Sequence, residues 1–268
     1  MALALSGAPE PRAVAVTAGP GLIGCLLVGV SFAQGYAFSR GLPLYGIHHI
    51  AGHMHAILLD RPDWAPPFLA LVVSGGHTEL VFVPAWGRYE RLARTIDDAA
   101  GEAFDKAAKL LGLGFPGGPA LARCAEQAGA DRVRIAGRLM AGQADFSFSG
   151  LKTALKVAVE KSGPLTEERR AVLAASFQDE VVAALLEKTK KALNETRATR
   201  FLLTGGVAAN TALRSAMSAL CMESGVDFAA PRKELCTDNA AMIGAAALAY
   251  EREPMKRDGS ARAMWELE

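Results

Sequence analysis

Short apolar runs ending on glycine alternate along this chain with longer stretches whose hydrophobic residues recur every three to four positions. That alternation predicts an α/β fold. AVAVTA at residues 13–18 reads as a strand, followed by a Gly-Pro-Gly break and an apolar helix reaching about residue 39. LYGIH reads as a short strand. The Pro-rich DRPDWAPP reads as a linker between lobes. FLALVVSGGHTELVFVP places two apolar runs around a Gly-Gly turn and predicts a hairpin.

Further on, TIDDAAGEAFDKAAKLLGLG is helical, with Phe104, Ala107, Ala108 and Leu111 near one face. FPGGP is a rigid loop into another helix. DFSFSGLKTALKVAVE starts irregular and becomes helical after Gly150, and a long helix starts near Thr166. RFLLTGG is a strand entering a glycine turn and a helix, and VDFAAP is a short strand. TDNAAMIGAAALAYERE is a last helix, expected to be capped by Thr237 or Asp238. The polar tail after Pro254 is expected to be loosely held, with Trp265 free to dock.

Composition narrows the classes. With 51% hydrophobic and 21% charged residues the chain has an ordinary globular balance, and its net charge of +1 advertises neither nucleic acid nor a membrane surface. Cys25, Cys124, Cys221 and Cys236 form no C-x-x-C pair, which excludes a zinc ribbon and points to a reducing, cytoplasmic setting. No charge occurs between Arg12 and Arg40, but the Gly-Pro-Gly break leaves too short an apolar piece for a span, so a buried helix is expected. MALALSGAPEPR fits a secretory signal poorly.

Four of the five histidines, His48, His49, His53 and His55, fall within GIHHIAGHMH. His49 and His53 are four apart, which on a helix puts both rings on one face, within reach of one metal. HxxxH alone leaves a histidine-rich helix start as an equal reading. Ile50 follows His49, so the HExxH of a zinc protease is missing. VVSGGHT and LLTGGVAAN share one design, an apolar strand delivering a Gly pair. Such loops bring backbone N–H groups close to phosphate oxygens, and two of them favour a nucleotide in a cleft, although neither is a Walker A loop. GPGLIG (Gly19, Gly21, Gly24) is a literal G-x-G-x-x-G, yet no acidic residue follows before Asp60 to hold a ribose, so it reads as close strand–helix packing.

Of Asp97, Asp98, Glu102 and Asp105, the last lies too deep in its helix for capping to explain. It is the candidate for a ribose or sugar hydroxyl pair, beside the alternative of a solvated acidic turn. Asp238 is either an ordinary N-cap or the carboxylate a two-histidine metal site needs. Arg169–Arg170 and the lysines Lys188, Lys190 and Lys191 read as solvated helix faces, with RNA-backbone contact the lesser reading.

Taken in order, TAGPGLIG, HHIAGH, LVVSGGHTEL, IDDAAGEAFDKAAKLLGL, FPGGP, DFSFSGLKTA, LTGGVAANTALR and TDNAAMIG resemble the tRNA adenosine threonylcarbamoyltransferases over nearly the whole chain. The resemblance implies an actin-like ATPase (ribonuclease H-like) architecture of two lobes. The first would span residues 1–66 joined by the helix at 237–252, the second residues 67–236, with a tail at 253–268. It implies transfer of a threonylcarbamoyl group from threonylcarbamoyl-adenylate to the exocyclic amine of adenosine 37 in tRNA. It also implies helper subunits, including a paralogous actin-like protein. His49, His53 and Asp238 would hold one divalent metal, iron by resemblance, with zinc or magnesium as alternatives. Val72, Val73, Ser74, Gly75, Gly76, Asp105, Gly118 and Asn210 would contact substrate or an adenine nucleotide. Relatives open with a Thr-Ser-Cys-Asp-Glu-Thr-like run that this chain lacks, so a shortened first lobe with an exposed sheet edge is expected. Ala51 and Ala122 stand where relatives often carry Glu and Asp. Rival readings are an actin-like sugar or acid kinase, a non-catalytic scaffold using the apolar helix, and a protease.

Overall fold

The computed structural model describes residues 10–135, 145–161, 163–252 and 260–267, without the side chains of residues 250–252. These residues form two compact units, one from residues 10–59, 239–252 and 260–267, the other from the described residues between 60 and 238. The crossings thus fall at 59/60 and 238/239, against the expected 66/67 and 236/237.

The first unit begins with strand β1 (Val14–Gly19), helix α1 (Ile23–Arg40), strand β2 (Leu44–His48) and the short helix α2 (His49–His55). β1 and β2 pair in parallel, Val14 opposite Leu44 through Thr17 opposite Ile47. In α1, Leu26, Val30, Ala33 and Ala37 make the inner stripe. The rest of that helix corrects the expectation of a buried one: Val28, Phe32 and Phe38 are exposed, the last at 92%. No helix among the described residues is long and apolar enough to cross a membrane. The reading of residues 1–9 as a poor secretory signal lies outside the described residues.

The second unit carries β3 (Phe68–Val73), β4 (Thr78–Ala85), β5 (Arg88–Arg94), α3 (Ala100–Leu110), α4 (Gly117–Ala125), α5 (Ser149–Lys161), α6 (Glu167–Thr196), β6 (Arg200–Thr204), α7 (Thr211–Glu223), β7 (Asp227–Ala229) and α8 (Lys233–Cys236). The chain then returns to the first unit as α9 (Ala240–Arg252). The sheet order is β5-β4-β3-β6-β7. β3 pairs antiparallel with β4, as the Gly-Gly hairpin predicts, and parallel with β6. Every residue of β3 is buried, the mark of a central strand covered on both faces. Phe104 of α3 and Phe177 of α6 share its core with Phe146 and Phe148 from the segment before α5 and with Phe201 of β6, each at most 2% exposed. Burial of a side chain this size stabilises by about 1.5–3 kcal/mol.

Three expectations change. DRPDWAPP begins where the first unit gives way to the second, but it is also packed: Trp64 is buried against Phe68, and the Arg61 and Arg200 guanidiniums lie over its ring. The last helix is capped by Asn239, whose Oδ1 accepts from the Met242 N–H at 2.9 Å, and not by Thr237 or Asp238. Part of the tail, residues 260–267, belongs to the first unit and is held there, Leu267 being buried, while residues 253–259 lie outside the described residues.

Candidate functional site

Because β3 and β6 run parallel side by side, their carboxyl ends deliver the two Gly pairs to the same edge of the sheet, where open α/β sheets bind ligands. Three glycines let the backbones there close up. Gly205 has φ +93°, and a Cβ on it would fall 2.4 Å from the Val73 carbonyl oxygen. A Cβ on Gly101, at the start of α3, would fall 2.6 Å from the Ser74 carbonyl oxygen, whose partner is the Gly101 N–H at 3.2 Å. A Cβ on Gly117 would meet the Asp105 Cα at 2.6 Å. None of these approaches survives a side chain.

They frame a cavity of about 620 Å³ within the second unit, in the range of small-molecule sites. Of the residues expected to touch a nucleotide, Gly75, Asp105, Gly118 and Asn210 line it. Val72, Val73, Ser74 and Gly76 do not. The two valines belong to the buried strand, and Ser74 closes the hairpin by accepting from the His77 N–H with its Oγ at 3.1 Å. Asp105 Oδ1 accepts from the Gly117 and Gly118 N–H groups at 2.8 and 3.3 Å, so it holds the first turn of α4 against the cavity.

Asn210 caps α7: its Oδ1 accepts from the Leu213 N–H at 3.0 Å. Only the oxygen can accept, so the amide is fixed, and its Nδ2 donates to Gln178 Oε1 at 2.8 Å. Gln178 is nine-tenths buried on α6 and lines the same cavity, yet sequence reasoning passed over it. The available signal was a lone amide at the end of the mostly apolar stretch from Ala171 to Phe177. Arg123, Glu126, Thr211, Ser215 and Lys233 add to the polar part of the wall, and Ala122 lies in it.

Asp97 serves another end. It accepts from Ser147 Oγ, the Phe148 N–H at 2.8 Å and both Ser149 groups, tying the start of α5 to the segment before α3. Burial alone would raise its pKa; the hydrogen bonds from Ser147, Phe148 and Ser149 outweigh that and lower it below the ordinary carboxylate value. A depressed carboxylate pKa stabilises above the unfolded value, and the gain is lost as pH falls through the folded one. The gap in melting temperature between wild type and Asp97→Asn is therefore expected to be widest near neutrality and to close on acidification. A gap independent of pH would refute this role.

The histidines lie in the first unit. His48 ends β2 and caps α2, its Nδ1 accepting from the Ile50 N–H at 3.2 Å. His49 and His53 follow on α2 with ring centroids 4.8 Å apart. His53 and His55 are fully buried. Burial pushes the His55 pKa down to about 4, against a smaller opposing effect of its 2.7 Å bond to the Ala51 carbonyl, so this ring stays neutral and structural. α9 packs on α2, where a Cβ on Gly52 would meet Ile243 at 2.8 Å. Asp238 is joined by one peptide bond to Asn239, the cap of α9. One ligand atom each from His49, His53 and Asp238 lies within 4.8 Å of the others, a two-nitrogen, one-oxygen set able to hold a divalent cation.

A profile of the tRNA N6-adenosine threonylcarbamoyltransferases matches residues 4–245. Proteins of that name from Symbiobacterium thermophilum and Bordetella pertussis are 48% and 52% identical over 246 and 240 residues. The alignments cover 92% and 88% of this chain and 72% and 69% of those relatives. Among solved structures the chain is similar to full-length HypF in its phosphate- and nucleotide-bound form. The TM-score is 0.65 at 14% identity, covering 84% of this chain and 38% of HypF. Component A of the (R)-2-hydroxyglutaryl-CoA dehydratase of Acidaminococcus fermentans gives a TM-score of 0.50 at 16% identity, covering 81% of this chain and 73% of that one. At these identities the likeness shows the fold alone, the actin-like ATPase architecture.

Proposed function

The chain belongs to the tRNA N6-adenosine threonylcarbamoyltransferases, and from that premise we propose that its cavity and its histidine helix together serve threonylcarbamoyl transfer to N6 of adenosine 37 in tRNA. The donor is threonylcarbamoyl-adenylate. The cavity takes its adenine nucleotide part, and His49, His53 and Asp238 hold one divalent metal. The observation that carries this reading is the pairing of a glycine-framed cavity with a two-imidazole, one-carboxylate set in one family member.

The residues divide the work. Asp105, held at one oxygen by α4, keeps its other oxygen for a ribose hydroxyl, and Asn210 keeps one N–H and one lone pair for the nucleotide. Backbone N–H groups of the Gly loops suit the oxyanions of the adenylate phosphate. A bound metal would supply Lewis-acid polarisation of the carbamoyl oxygen. Neutral imidazoles are the form that ligates. Helper subunits, one of them a paralogous actin-like protein, belong to this proposal as partners, with the cytoplasm as its place.

Asn210→Ala is expected to weaken nucleotide binding about tenfold, the cost of one good hydrogen bond, while metal content stays unchanged. Gln178→Ala should follow it in direction, since the Asn210 amide then loses its partner. Calorimetry with ATP finding wild-type affinity for Asn210→Ala would remove that residue from the site.

A further inference from the structure

The match to the family ends at residue 245, whereas residues 260–267 make specific contacts beyond it. The Arg262 N–H donates to the Ala18 carbonyl at 2.7 Å, and the Gly21 N–H donates to the Ala263 carbonyl at 3.2 Å. This segment therefore runs along the end of β1 and covers backbone there. Gly19 marks how close it comes: a Cβ on it would fall 2.1 Å from the Arg262 carbonyl oxygen. Of the GPGLIG glycines, Gly19 thus serves this tail; a Cβ on Gly21 would make only ordinary contact with Leu26 of α1, and nothing lies within 4 Å of one on Gly24.

Its reach ends on the histidine helix. His48 Nδ1 accepts from the Ile50 N–H, so that nitrogen carries no proton and the proton sits on Nε2. Nε2 then donates to the Trp265 carbonyl at 3.0 Å. The Trp265 ring lies 5.0 Å from the His48 ring, and the Arg262 guanidinium lies over the indole at 4.8 Å from its centroid. His48 is 5% exposed and directly precedes His49.

We propose that residues 260–267 form a latch that positions α2, through His48, for metal binding by His49 and His53. His48 and Trp265 are positioning residues here: they fix the start of a seven-residue helix too short to be rigid alone. The inference rests on the metal reading given under Proposed function, and the test separates the two. Zinc is loaded into the full chain and its release to a chelating dye is timed. Wild type against His53→Ala tests the metal reading, since a site that does not use His53 gives equal retention. Gly19→Ala, which drives a methyl into the Arg262 carbonyl, and Trp265→Ala test the latch. Both should release zinc about tenfold faster, as loss of a supporting contact around a metal does, with Trp265→Phe within about twofold of wild type. ATP affinity, set in the other unit, should not move. Zinc release at the wild-type rate from both Gly19→Ala and Trp265→Ala overturns the latch. So does a parallel loss of zinc and ATP binding, which would mark general destabilisation.

Discussion

Replacing His53 by alanine is expected to lower metal affinity at least ~100-fold, because residues that merely support ligands already cost 10–100-fold. The ring is fully buried on α2 and contributes one of the three ligand atoms that lie within 4.8 Å of one another. Its loss leaves one imidazole and one carboxylate, a pair too weak to retain a divalent ion against buffer. The substitution also empties a buried volume, so part of any loss of stability is packing. Asp238→Ala separates the two effects: Asp238 is exposed, and α9 keeps its Asn239 cap. Metal analysis of both variants should give the same loss. Full metal content in either variant would dismiss the three-residue site.

The second large effect is expected from Gly205→Ala. The residue sits at φ +93°, a conformation that costs an L-residue about 1–3 kcal/mol. Its added methyl would also press within 2.4 Å of the Val73 carbonyl oxygen, and such overpacking costs about 1–3 kcal/mol more. The strand ends that carry both Gly pairs must then separate. Denaturant unfolding should show a loss of about 2–6 kcal/mol, and nucleotide binding should fall beyond measurement. Gly76→Ala is the control, since nothing lies within 4 Å of a Cβ there. Equal effects from the two would contradict the close-approach account.

The architecture was largely legible because its strands announce themselves. Apolar runs ending in Gly-Gly mark β3 and β6, and their parallel pairing then puts both loops on one edge. β5 was not legible: its register to β4 shifts at two places, so GRYERLAR does not alternate cleanly. The α9 cap was misassigned among Thr237, Asp238 and Asn239 because only the helix register chooses between neighbouring capping residues. The histidine spacing was readable, but the approach of Asp238 depends on how α9 packs on α2, which no local pattern encodes. Gln178 was hidden because one amide on a long helix has no periodic signal until Asn210 is seen facing it. The latch was least legible, since His48 and Trp265 are 217 positions apart and the tail is polar.

The account is tested most directly by a transfer assay. The chain is incubated with tRNA and threonylcarbamoyl-adenylate in an extract of cells depleted of their own transferase, and the modified adenosine is measured by mass spectrometry. The account predicts that wild type forms it and that Asp238→Ala does not. No modified adenosine from wild type, while the Symbiobacterium thermophilum relative produces it in the same extract, would contradict the account.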